Sequence, residues 1–151
     1  MLLAKALTAA TALAFASASM AQDSAALART SQTSWVAFQC TALASINQDK
    51  AETARLFKFG YSQGQTFFTG LRDGKIKESD VNQYTPTVVL WIAGGAPSID
   101  FALGRLSQVA QDDALKGVYG DPNKSDEVER AAAARKFDTM NCSAIGIGTG
   151  Q

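Results

Sequence analysis

Two residue types decide what chemistry this chain can host, one through its spacing and the other through its absence. Cys40 and Cys142 are the only cysteines, and histidine is missing from all 151 residues. Without imidazole there is no Ser-His-Asp or Cys-His nucleophilic set, no histidine-ligated zinc, and no histidine switch for mild acid. Acid–base chemistry would fall to carboxylates, lysine or tyrosine. The cysteine spacing is nothing like Cys-x-x-Cys, so a redox-active pair is the weaker reading. In an oxidising compartment one intramolecular bond is preferred over two free thiols or an intermolecular bridge. That bond would close a loop of about 100 residues and staple the first helix to the last. The chain-entropy account gives it at most about 4.7 kcal/mol.

The other polar constellations each have a plain explanation beside the chemical one. Asp112-Asp113 reads as a solvated helix end, and Asp126-Glu127-x-Glu129 as a helix start. Neither follows the ligand spacing of an EF-hand. Gly94-Gly95-Ala96-Pro97-Ser98 has the glycines of an anion loop but lacks the lysine of a P-loop and the spacing of a dinucleotide loop, so it reads as a turn between packed helices. Asp100 and Arg105 are the one charged pair set among apolar residues. Five positions apart, they are poorly placed to meet on one helix, so each is expected to pair with another element in a buried polar network.

Gly60-x-x-x-Gly64 places two glycines on one helical face, at a cost of about 1 kcal/mol each against alanine. Close approach of a neighbouring helix, such as the one carrying Trp91, is the plainer compensation. The sharper reading is a groove floored by Gly60 and Gly64, walled by Phe57, Tyr61 and Phe68, that takes a partner's side chain. Trp35 and Trp91 read most simply as core.

The elements that position these residues are helical. Residues 1–21 carry Lys5, an Ala/Leu/Phe-rich run, and small residues at Ser19 and Ala21, which reads as a cleaved signal peptide. Removing 21 residues from 151 leaves 130, room for one domain. Only Lys5 of the 14 cations is lost, leaving 13 against 14 carboxylates. A near-neutral chain with interspersed signs gives no reason to invoke nucleic acid or an anionic membrane. No other apolar run reaches the roughly 20 residues of a membrane span. The expected location is the periplasm of a Gram-negative bacterium, or the secreted fraction.

Residues 22–32 read as a flexible arm, with the start of the first helix inside it left open. Helical spacing runs from Thr33 to Ile46, and Asp49 with Glu52 offers a capping box for a long helix over 50–72, ended by Asp73-Gly74. Lys75 to Asn82 reads as a charged connection, with room for one helical turn at Ser79. Thr85 then looks like a cap with Pro86 in first position. Residues 87–93 are apolar on every side. Periodicity leaves helix and strand open there, and helix is preferred because no second strand exists to pair with it. Ser98 caps a helix to about Ala110, 115–123 is a loop, and 125–141 is a last helix with Asp126 and Glu129 as a second capping box. A flexible tail follows over 143–151. The sum is an all-α, single-domain bundle of about five helices over 33–142, with one disulfide.

A small exported helical domain with Trp35 ahead of Cys40, closed by Cys142, resembles the HdeA/HdeB group of acid-stress chaperones. Those are helical, held by one disulfide, and expose apolar surface when acidified. It also resembles the Tai/Rap immunity proteins of type VI secretion, whose Gly-Tyr-x-x-Gly helix is similar to Phe59-Gly60-Tyr61-x-x-Gly64. The absence of histidine, the lack of an active-site set and the glycine-notched aromatic helix point to a non-catalytic protein that binds another protein, in keeping with either resemblance, and a homodimer is left open. The alternative is a small-molecule binder or carboxylate-dependent enzyme with a pocket near Asp100, Arg105 and Trp91. No cofactor or metal is expected.

Overall fold

Small residues set the distance between the two longest helices. The computed structural model describes residues 7–120, 123 and 125–148, with side chains from Ser24 onward. Among these residues it has α1 (Leu7–Ile46), α2 (Lys50–Arg72), α3 (Glu78–Tyr84), α4 (Thr87–Gly95), α5 (Ile99–Leu115), α6 (Asp126–Thr139) and a 3-10 turn at Cys142–Ala144. The signal-peptide reading concerns residues 1–21, whose side chains lie outside the described part. The architecture is all-α, with six α-helices among the described residues where the sequence suggests about five. The additional one is α3, which begins inside the stretch read as a charged connection and runs two residues past it.

The link between α1 and α2 is only Asn47 to Asp49, and so short a turn forces antiparallel neighbours. The seam confirms the direction: Gly60 meets Ala37, Gly64 meets Ser34 and Gly70 meets Leu27. Opposite the glycines, α1 turns Ala28, Ser31, Ser34, Ala37 and Thr41 inward, all buried. Their hydroxyls find partners at short range. Ser31 donates to the Ala28 carbonyl at 2.6 Å, Thr41 to Ala37 at 2.8 Å, and Ser34 crosses the seam to the Gly60 carbonyl at 2.7 Å. A satisfied hydroxyl can be buried without the usual desolvation cost.

This seam corrects the reading of 22–32 as an arm. From Ser24 onward the stretch is helical, and Ser24, Ala28 and Ser31 are buried. Small polar residues resemble loop material in sequence, yet small size is what a close helix pair requires. Ser24 also serves α3, whose N-cap residue Lys77 makes no side-chain cap. Its hydroxyl accepts the Lys77 backbone N–H at 2.8 Å and donates to Asp80 at 2.6 Å. Arg29 lies over the Tyr84 ring at 4.1 Å, joining the same two helices by cation–π attraction.

The caps follow the sequence in part. Asp49 accepts the Glu52 N–H at 3.0 Å and Ser98 the Phe101 N–H at 3.2 Å. Glu52, however, does not reach back to Asp49. It pairs with Arg55 instead, because the guanidinium one turn on is the stronger donor. α6 is capped by Ser125, which accepts from Val128, rather than by Asp126. Thr85 closes α3, and Pro86 is the residue before α4 rather than its first.

The core has two parts. One gathers Phe38, Phe67, Phe68, Val89, Ile92, Leu103 and Leu106 between α1, α2, α4 and α5. The other surrounds the cysteines with Leu43, Leu56, Ala114, Val118 and Ala133. Cys40 and Cys142 are bonded with Cα atoms 5.6 Å apart, inside the bridging range, and α6 packs on α1 as the staple requires. Lys136 donates to the Ala114 carbonyl at 2.7 Å, placing a cation at the negative end of α5. Asp113 accepts from Gln39 and Lys116, each at 2.8 Å. The Lys116 ammonium is the first cause that holds this carboxyl below its ordinary value.

The first part of the tail is anchored. Arg55 donates to the carbonyls of Ile145 and Cys142, and Gly146 sits against the Phe59 ring. Among the described residues no helix is long and apolar enough to cross a membrane.

Candidate protein-binding site

The two glycines expected to floor a groove have the closest neighbours of any helical glycine here. A Cβ on Gly60 would lie 3.1 Å from Ala37 and 3.2 Å from Phe38; one on Gly64 would lie 2.6 Å from Leu103 and 2.7 Å from the Ser34 hydroxyl. The notch is therefore filled from within, and by α1 and α5 rather than by the helix carrying Trp91. Phe68, assigned to the groove wall, is 5 % exposed and belongs to the core. The groove reading is corrected: its floor and one wall are internal packing.

What remains of that set lies along the outside of α2. Phe57 is 43 % exposed, packs on Phe38 at 5.6 Å between ring centroids, and lies 6.4 Å from Tyr61. Tyr61 donates its hydroxyl to Asp100 at 2.9 Å, and that bond raises the phenol pKa by stabilising its protonated form.

Asp100 and Arg105 are both exposed, which corrects the expectation of a buried network. Asp100 does pair with another element, through Tyr61 of α2. Arg105 has no ion-pair partner among the described residues. The cavity of about 300 Å³ lined by Phe68, Leu71, Arg72, Ala93, Ile99 and Ala102 among others is lined by none of Asp100, Arg105 and Trp91.

Trp91 departs furthest from its sequence reading. Expected in the core, it is 81 % exposed. α4 is bracketed by Pro86 and Pro97 and packs on α5. Its inner side buries Val89 and Ile92. The opposite side carries Thr87, Trp91, Gly94 and Gly95, all exposed and spaced by three and four. The glycines read as a break are the last turn of this helix. Neither has a heavy atom within 4 Å of where a Cβ would stand, nor a positive φ that calls for glycine.

An indole carries roughly 150–250 Å² of surface. Leaving most of it in water forgoes on the order of 3–5 kcal/mol of burial. The setting is apolar in sequence as well: from Val81 to Ile99 no residue is charged. That uncharged run was the signal available in sequence for an interaction face. Phe101, 47 % exposed on the first turn of α5, is an aromatic that sequence reasoning left out of the site. The outer face of α4 can thus offer a large apolar anchor with no charge to desolvate. Comparison with the profiles of known protein families, with curated proteins and with solved structures finds no match to this chain.

Proposed function

We propose that this chain is an exported, disulfide-stapled helical protein that binds another protein through the outer face of α4, with Trp91 as the anchor. The observation that carries the reading is the exposure of Trp91, 81 %, in the middle of an uncharged run. Tryptophan is the side chain most enriched among binding hot spots. Export is supported by the pattern of residues 1–21 and by a disulfide suited to an oxidising compartment. The resemblance to acid-stress chaperones and to immunity proteins supports the same class of work.

The test is capture of partners by the immobilised mature protein from extract of the exported fraction, with Trp91→Ala run in parallel. Because Trp91 makes little of the core, the variant should unfold within about 0.5 kcal/mol of the parent. It should nevertheless lose at least about tenfold in captured partner, the scale of a hot-spot truncation. Undiminished capture by the variant would remove the assignment of the site to α4.

Acid separates the two kinds of binding protein. At about pH 2 nearly all carboxylates are protonated while the cations persist, and the self-repulsion loosens the domain. A chaperone-like protein then suppresses client aggregation at pH 2 and not at pH 7. An immunity-like protein binds at neutral pH and gains nothing in acid. Client light scattering at the two pH values distinguishes them.

A further inference from the structure

We infer that the outer face of α4 takes a second copy of this chain, in a twofold pair whose α4 helices run antiparallel and place Trp91 of each copy over Gly94 and Gly95 of the other. This inference rests on the reading of α4 as a binding face.

Three observations converge on self-association. The first is that the projection and the recess lie on one face, one helical turn apart: Trp91 stands out, and Gly94 and Gly95 follow it with open space around them. A twofold axis between positions 91 and 95 brings each tryptophan onto the other helix's glycines, so the surface is its own complement, as an isologous interface demands. The second is charge. A twofold pair sets like against like, and the outer residues of α4, Thr87, Trp91, Gly94 and Gly95, carry no charge to repel their copy.

The third is how glycine is used elsewhere in the fold. Gly60, Gly64 and Gly70 are each explained by a neighbour within 4 Å; Gly94 and Gly95, like Gly104 of α5, are not. Missing side chains admit a second helix backbone closely. They contribute nothing to a bilayer, where bulk apolar groups supply the binding. A second helix therefore fits this face better than lipid does. One short helix covers less than the roughly 800 Å² per partner of a standard interface, so the pair should be weak, with Kd on the order of 10 µM.

Sedimentation equilibrium of the mature protein between about 1 and 200 µM tests this, with Trp91→Asp and Gly95→Leu as variants and circular dichroism to verify their fold. Both positions face open solvent, so neither change disturbs the monomer. The expected result is a monomer–dimer equilibrium whose Kd rises at least tenfold in each variant. A parent that stays monomeric at 200 µM, or a dimer indifferent to both substitutions, overturns the inference. A monomer that still captures a foreign protein through Trp91 overturns it while leaving the binding face standing. A monomer whose tryptophan emission shifts only on phosphatidylcholine vesicles overturns it in favour of lipid. A dimer weakened by both variants, with no foreign partner captured, upholds it and removes the foreign-partner reading.

Discussion

Replacing Cys40 and Cys142 together by serine should lower the unfolding free energy by about 3–5 kcal/mol. The bond joins residues 102 apart in sequence, so it removes a large loop-closure entropy from the unfolded chain. Both cysteines are fully buried in the cluster formed by Leu43, Leu56, Ala114 and Ala133. Serine there adds a buried hydroxyl, which costs about 1–3 kcal/mol if unpaired. Reduction of the parent by dithiothreitol gives the cross-link effect without that addition. The expected series is therefore oxidised parent, reduced parent, then double serine variant, in falling urea midpoint. Arg55 still holds the carbonyls of Cys142 and Ile145 after reduction, so the bundle should remain folded at 25 °C. A midpoint unchanged on reduction would show that the staple contributes nothing the packed core does not already supply.

Gly64→Ala should cost about 2–3 kcal/mol, the upper part of the range for overpacking a core. The same change at Gly104, in the middle of α5, should stabilise by about 0.5–1 kcal/mol through helix propensity. The chemistry added is identical and only the surroundings differ. A methyl on Gly64 stands 2.6 Å from Leu103 and 2.7 Å from the Ser34 hydroxyl, whereas nothing lies within 4 Å at Gly104. Leu103 is 1 % exposed and Ser34 is fully buried, so neither side chain has free volume to enter. Moving Ser34 also breaks its bond to the Gly60 carbonyl. Urea denaturation of the two variants measures the contrast. Comparable effects at both positions would mean that the α1–α2 seam is looser than its geometry, and the close-approach account of Gly60-x-x-x-Gly64 would fall.

The seam also shows where sequence reading reaches its limit. Helical spacing, the caps at Asp49 and Ser98, and the sole possible intramolecular cysteine pair were legible, because each is local or admits one solution. A cap needs only an oxygen and an amide three residues on. An amphipathic stripe needs only the 3.6-residue period. Residues 87–93 were placed as helix on a different ground, the lack of a second strand to pair with them, and α4 is helical over Thr87–Gly95.

Orientation was not legible where the stripe is absent. Residues 87–93 are apolar all round, so nothing in their order says which side meets α5, and Trp91 was read inward although it faces water. Ser24, Ala28 and Ser31 are small enough for a loop or a tight seam, and only the packing of α2 and α3 against α1 decides between the two. Asp100 finds its partner 39 residues away in Tyr61, a distance no spacing rule spans. The sequence by itself determined the helical class, the caps at Asp49 and Ser98 and the staple, which depend on short-range hydrogen bonding and on covalent pairing. The tertiary structure decided that 22–32 belongs to the bundle, that α1 fills the glycine notch and that α4 presents Trp91. Those outcomes depend on which surfaces bury most area together, and that is a property of the assembled helices rather than of any one of them.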